Sequence, residues 1–357
     1  MNARGTASGI AAAGAGLVCV LALSWGLRDA AAPAAGNAPV PQPRNAAAIA
    51  RGRYLAEGLC ECFECHSPLK STGEEEPEPS MLGAGDVTGE EKHHVAANLT
   101  PDPETGAGRW TDEQLICAIR EGIGHDGRRL ALVMPYDYFS VMTDGDVRAI
   151  VAYLRTLKPI RHELPKWTAL DVDALPPEPL RPPARAEDLT TRVARGGYLV
   201  RLGRCPLCHT ARPPEGSWTH RRLDMELGGG RRFGYEDYFE ELGDDPWFSS
   251  RPAPGTPVRT ERVVTSPNIT SDPSGIPYYD EKLFIQTIRT GKVAGVRELT
   301  RAMVWFEFRK LNDDDLGAIF AYLRSVPPVR HRVSNTDPPT WCPRCGRFHG
   351  LGELNEP

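Results

Sequence analysis

Two segments, Cys62-Phe63-Glu64-Cys65-His66 and Cys205-Pro206-Leu207-Cys208-His209, constrain this chain of 357 residues more than any other feature. In C-x-x-C-H the two thiols are spaced to form thioethers with the vinyl groups of one haem. The adjacent histidine is then forced beneath the iron as its proximal ligand. A single such motif fixes only three positions and can arise by chance. Two of them, each just after an Arg-Gly-x-Tyr-Leu segment (Arg51 to Leu55, Arg195 to Leu199), point to two covalently bound haem c groups. The plainer alternatives, a redox dithiol or half of a zinc site, do not account for the repeat.

The repetition extends beyond the motifs. Met303 follows Met134 by 169 positions, and the same offset carries Thr143 to Asn312, Asp146 to Asp315, Ile150 to Ile319, Tyr153 to Tyr322, Leu154 to Leu323 and Pro159 to Pro328. A constant register over that length indicates one fold used twice. The expected organisation is a leader (1–32), a flexible spacer (33–46), a first domain (47–160), a Pro-rich connection (161–190), a second domain (191–329) and a tail (330–357). Within the first domain a helix from about Ala47 is expected to carry Tyr54 and Leu55 toward the haem and to deliver Cys62. Asn98-Leu99-Thr100 forms a turn whose side chains suit capping or a haem propionate. A helix then runs from Thr111 to Glu121 and stops at Gly122. Thr143 caps a last amphipathic helix, with Asp146 in the place where a capping box has Glu. The second domain has 27 additional residues between its motif and its Asn-x-Thr turn, among them Tyr235, Tyr238, Phe239, Trp247 and Phe248. These could cover a haem edge or form a docking face; a loop packing its own aromatics is the simpler reading.

Met134, in a loop before Pro135 and between two helices, stands where a second axial ligand is presented, and Met303 is its counterpart. Val304 replaces the proline there, which removes a constraint on the loop. Met142 corresponds to Leu311, and Met81 and Met225 lie in unrepeated loops, so these are weaker candidates. His/Met ligation fills both axial positions and favours ferrous iron, which suits an electron carrier. Cys342-Pro343-Arg344-Cys345 cannot hold a third haem, because Gly346 stands where the histidine must be. With His349 it offers three zinc ligands, one short of a closed site, so a local disulfide between Cys342 and Cys345 is favoured. Cys60 and Cys117 have no counterparts; a bond between them and two separate buried thiols both remain open. Arg128 and Arg129 could neutralise propionates or steer an acidic partner, or could simply be solvated.

The net charge of −5 gives no basic excess for nucleic acid. Nine cysteines suit an oxidising, extracytoplasmic setting. An apolar run from Ile10 to Leu27 after Arg4 reads as an export signal or a single N-terminal anchor, and no second such stretch follows.

The assembled pattern of C-x-x-C-H, N-[IL]-T-x-D-P, a helix ending in Arg-x-Gly, Met with an aromatic two positions on, and a Y-L-R helix resembles dihaem c-type cytochromes. It is similar to the cytochrome c subunits of membrane-bound alcohol and aldehyde dehydrogenases, over about Ala47 to Val329. The resemblance implies an all-α fold of two tandem class I cytochrome c domains with long irregular loops. It implies His66 and Met134 on one iron and His209 and Met303 on the other. It also implies a place in the periplasm or on the outer face of the cytoplasmic membrane, passing electrons between redox donor and acceptor proteins, with a dehydrogenase subunit as candidate partner. Related chains end in a similar C-x-x-C-G segment; the third haem motif and C-terminal amphipathic helix of many dehydrogenase subunits are not seen here. No nucleophile and base set suggests an enzyme. The rival is a dihaem peroxidase, which needs one iron with an opening site.

Overall fold

The computed structural model describes residues 45–70, 77–88, 94–165, 178–213, 220–233, 264–295, 297–299, 302–333, 340–342 and 347–349. The chain divides into two units, Met1–Gln42 and Pro43–Pro357, and all described residues belong to the second. The leader, most of the spacer, the centre of the Pro-rich connection, the aromatics from Tyr235 to Phe248, and Cys345 with the Cys342 side chain lie outside the described residues. Among the described residues no helix is long and apolar enough to cross a membrane.

Asn45 caps helix α1 (Ala46–Tyr54) by accepting a hydrogen bond from Ala47 N at 2.9 Å. The helix does not run on regularly to the motif. It widens into a π turn (Leu55–Leu59), closed by Cys60 N donating to Leu55 O at 2.9 Å. Glu61 then takes the left-handed conformation, φ 50°, and α2 (Cys62–Cys65) begins. Such a π bulge shifts the following residues around the axis and commonly marks a functional segment.

Helix α3 (Asp112–Glu121) has the ends that its sequence predicts. Thr111 Oγ1 accepts from Gln114 N at 3.1 Å, Gln114 Oε1 accepts from Thr111 N at 2.9 Å, and Gly122 leaves the helix at φ 68°. A short helix α4 (Tyr136–Phe139) follows Met134. Thr143 caps α5 (Asp144–Leu154) by accepting from Asp146 N at 3.1 Å. The carboxylate of Asp146 does not complete a capping box; it turns to Arg51 and to the other half of the molecule, where it meets stronger donors.

The second half repeats the order with α6 (Arg192–Leu202), α7 (Cys205–Cys208), α8 (Glu281–Thr290), α9 (Trp305–Phe308) and α10 (Asp313–Ser325). Helix α1 crosses α5, and α6 crosses α10. Each crossing is made at a glycine, because a Cβ on Gly52 would lie 1.9 Å from Ala149 O and one on Gly196 would lie 1.9 Å from Ala318 O. Leu55, Leu59, Val147 and Ile150 from one half and Leu199, Leu202, Leu316 and Leu323 from the other belong to one continuous apolar core. The structure is helix-rich, and the described strands form four two-stranded antiparallel ladders of two or three residues. Strands β1 (Asp86–Thr88) and β2 (His94–Ala96) in the first half match β3 (Arg232–Phe233) and β4 (Val264–Thr265) in the second. Most of the additional residues of the second half therefore fall between β3 and β4 in the sequence, outside the described residues.

A reciprocal seam joins the halves. Tyr54 OH donates to Asp315 Oδ2 at 2.7 Å and accepts from Asn312 N at 3.1 Å. Tyr198 OH donates to Asp146 Oδ2 at 2.8 Å and accepts from Thr143 N at 3.2 Å. Each aspartate also faces an arginine of its own half, Arg51 Nε at 2.8 Å and Arg195 Nη2 at 2.6 Å. The expectation that Tyr54 points toward the haem is thus corrected: it caps a helix end across the seam, while Leu55 enters the core. Removing either phenol takes a donor from a largely or wholly buried carboxylate. Tyr198→Phe is expected to lower the free energy of unfolding by about 2 kcal/mol, measured by denaturant titration of the purified protein.

Candidate functional site: a thioether- and imidazole-lined cavity

In the first half, α2, the β2–α3 loop, α3, α4 and α5 surround a cleft enclosing about 1260 Å³ of empty space, including the part open to solvent. Its wall carries Cys62, Cys65, His66 and Met134, the four side chains that the sequence singles out, among apolar groups such as Leu99, Leu115, Phe139 and Leu154.

His66 Nδ1 lies 2.7 Å from Ala97 O. A carbonyl only accepts, so Nδ1 carries the proton and Nε2 keeps its lone pair. That tautomer is the one that a metal-binding histidine needs, with the backbone bond fixing the ring. Burial lowers the affinity of this ring for a second proton, against the opposing pull of the Ala97 carbonyl. His209 repeats the arrangement on Pro267 O at 2.9 Å, with the same shift from the same cause. Burial also pushes the Cys62 and Cys65 thiols up to about 12, with the Arg204 charge the largest opposing influence, and the Cys205 thiol up to about 12. Unmodified, these sulfurs are neutral at neutral pH.

Met134 is held by Met134 N donating to Ala131 O at 3.0 Å and by Tyr136 N donating to Met134 O at 2.8 Å. In the second half Trp305 N donates to Met303 O at 2.7 Å. The missing proline leaves the loop backbone unchanged: Pro135 stands at φ −80°, ψ 51° and Val304 at φ −71°, ψ 42°. Met142 also reaches the first cavity and is fully buried, but Leu311 is just as buried in its place. That equivalence makes Met142 a packing residue.

The Asn-x-Thr turns tie down the same segment in each half. Asn98 Oδ1 accepts from Thr100 N at 2.9 Å and Thr100 Oγ1 at 2.7 Å, while Asn98 Nδ2 donates to Ile160 O at 2.8 Å. Asn268 does the same with Thr270 at 2.9 and 2.8 Å and with Val329 O at 2.7 Å. These amides are spent on tying the turn to the segment after the last helix, which answers the expectation of a propionate ligand. Of the pair Arg128 and Arg129, Arg128 lines the cavity, with Nε 3.2 Å from Asp126 Oδ2. Cys60 is buried against the same cavity, Cys117 sits on α3 with Sγ 3.7 Å from Glu121 Oε2, and no disulfide joins them.

Sequence reasoning missed Glu61 and Arg204, which also line the cavity. Each stands immediately before the first cysteine of a motif, and each is in the left-handed region, φ 50° and 56°. Their matched positions and opposite charges were the available signal.

No family model matches the chain. It is 29% identical over 316 residues to the cytochrome c subunit of a quinone alcohol dehydrogenase from Gluconacetobacter polyoxogenes, covering 83% of this chain and 59% of the relative. It is 28% identical over 309 residues to the fructose dehydrogenase cytochrome subunit of Gluconobacter japonicus, covering 81% and 54%. Its homologues are cytochrome c subunits of dehydrogenases. A dihaem c-type cytochrome of Cereibacter sphaeroides is 30% identical over 177 residues, covering 42% of this chain and 53% of that one. The chain spans somewhat more than half the length of the dehydrogenase subunits that it matches. Cytochrome c relatives imply covalently bound haem c, and the cavity fits it. Two thiols for vinyl groups, an imidazole with its free nitrogen fixed by a carbonyl, and a thioether all meet one apolar space.

Proposed function

We propose that this chain is an exported dihaem c-type cytochrome that passes single electrons as the cytochrome subunit of a dehydrogenase. The observation that carries the reading is the convergence of Cys62, Cys65, His66 and Met134 on one cavity. The same backbone devices at His209 and Met303 support a second centre. On this reading residues 47–160 and 191–329 are tandem class I cytochrome c domains, joined by the connection 161–190. Cys62 and Cys65 hold the first haem covalently and Cys205 and Cys208 the second. His66 with Met134, and His209 with Met303, supply the axial ligands.

Haem c contributes one-electron chemistry at iron. The protein contributes a fixed imidazole tautomer at His66, the Met134 thioether in the same cavity, and an apolar wall that limits water. His66 and Met134, both on well-anchored backbone, would hold the iron so that one-electron chemistry there would need little rearrangement of the chain. Cytochrome subunits of alcohol and fructose dehydrogenases among the relatives support a dehydrogenase as electron donor. The apolar run Ile10 to Leu27 supports export, by cleavage or as an anchor on the outer face of the membrane. Cys342 and Cys345 are proposed to form a disulfide in the tail. The peroxidase reading has no support among these relatives.

A spectroscopic redox titration of the exported holoprotein tests this, with carbon monoxide then added to the reduced form. Two one-electron, low-spin centres that bind no gas are expected. A single haem per chain, or gas uptake by the wild type, refutes the proposed ligand sets.

A further inference from the structure

Arg204 and Glu61 form an ion pair in which the two side chains are 6% and 1% exposed. They come from different halves, and each is joined by one peptide bond to a cysteine of a haem-attachment motif. Both residues hold the left-handed backbone that non-glycine residues seldom adopt, so the local conformation is strained at both ends of the pair. A buried ion pair repays little of its desolvation cost. Glu61 Oε1 has no hydrogen-bond partner and is buried, so the pair is not optimised as a stability device.

Its placement suggests another role. Arg204 belongs to the second half yet lines the cavity of the first, whose wall also carries Cys62 and Cys65. Glu61, held against Arg204, is in turn brought beside Cys205, the residue that follows Arg204. Each member of the pair therefore stands beside both attachment sites. The remaining charges acting on Glu61 are Glu307 and Lys310, themselves paired with each other.

We infer that the Glu61–Arg204 pair is the electrostatic link between the two haem centres, so that a charge change in one half moves the reduction equilibrium of the haem held by the other. This rests on the proposed dihaem reading. At each centre Arg204 favours the ferrous, less positive state, and Glu61, which lines the first cavity and is held against the residue before Cys205, favours the ferric state. The two nearly cancel at both centres, so their effect is hidden in the intact protein and appears when one charge is removed.

The test is spectroelectrochemical titration of the exported holoprotein, with Met303→His used to displace the second haem to lower potential and so identify each centre. In that background Arg204→Gln is expected to disfavour reduction of the first haem roughly tenfold, which is what a nearby charge amounts to in a protein interior. Tenfold corresponds to 59 mV for one electron. Arg204→Lys keeps the charge and should leave the first haem near its wild-type potential. Glu61→Gln should favour reduction of the second haem by a similar factor. Because Arg204→Gln leaves a buried carboxylate unpaired, which works against folding and haem loading, the double variant Glu61→Gln/Arg204→Gln provides the second arm. It restores neutrality and should return both potentials toward wild type.

The inference is overturned if haem-loaded Arg204→Gln leaves the first centre unchanged, or if Arg204→Lys shifts it as much as Arg204→Gln does. It is also overturned if the double variant shows both potentials displaced as far as the single variants. Failure of the dihaem reading looks different, because the parent protein would then lack two one-electron waves.

Discussion

Met134→Ala should convert one haem from a closed, high-potential centre into one that binds carbon monoxide when reduced. The thioether is supplied from a turn tied at both ends of the residue, by Ala131 O and Tyr136 N, so no neighbouring backbone can slide to replace it. A thioether ligand stabilises ferrous iron, and its loss lowers the potential. A fall on the order of 100 mV is reasonable, since axial ligands as a class span ~0.8 V. Carbon monoxide difference spectra and a titration read both effects. Met142→Leu is the control, because Leu311 already fills the equivalent place and lies 1% exposed. It should leave the spectrum unchanged and cost less than about 1.5 kcal/mol. If Met142→Leu opened the site while Met134→Ala did not, the ligand assignment would be reversed.

The second large effect concerns the helix crossings. Gly52→Ala and Gly196→Ala each place a methyl group 1.9 Å from a carbonyl oxygen of the partner helix, Ala149 and Ala318. Backbone cannot swing aside as a lysine tip can, so α1 must separate from α5, or α6 from α10. Each substitution is expected to cost about 3 kcal/mol or more, at the upper end of overpacking, through loosened contacts around the core. Gly58→Ala gives the contrast. Its Cβ would meet Lys310 Cβ at 3.8 Å and Leu311 Cδ2 at 3.9 Å, which is ordinary contact. Alanine should there be neutral or stabilising by up to about 1 kcal/mol. Thermal unfolding of the three purified holoproteins compares them directly; equal loss at Gly52 and Gly58 would show that the crossing distance is not what matters.

The candidate site was legible where chemistry demands fixed spacing. C-x-x-C-H singled out Cys62, Cys65 and His66, which the structure brings with Met134 to one cavity, and the 169-residue offset led from Met134 to Met303. Helix ends were legible for a similar reason: Thr111, Gly122 and Thr143 act through the backbone next to them. What could not be read were contacts made across the fold. Nothing local to Tyr54 says that its hydroxyl serves Asp315, 261 positions away. Nor does the sequence show that, with Val304 in place of the proline, the turn is kept by neighbouring backbone bonds. The Asn98 and Asn268 amides were equally open from sequence, and only the fold shows them taken up by Ile160 and Val329.

The pairing of Glu61 with Arg204 bears on how such a chain could arise. On the tandem reading these residues occupy the same position of the two repeats, and they face each other, so they sit on the approximate two-fold axis that also relates Tyr54–Asp315 to Tyr198–Asp146. In a dimer of identical chains, a residue on the axis meets its own copy. A glutamate there would confront a glutamate, and an arginine an arginine, each repelling its twin in a buried setting. Covalent fusion of the repeats frees the two copies to diverge, and opposite charges facing each other there are an arrangement closed to a dimer of identical chains.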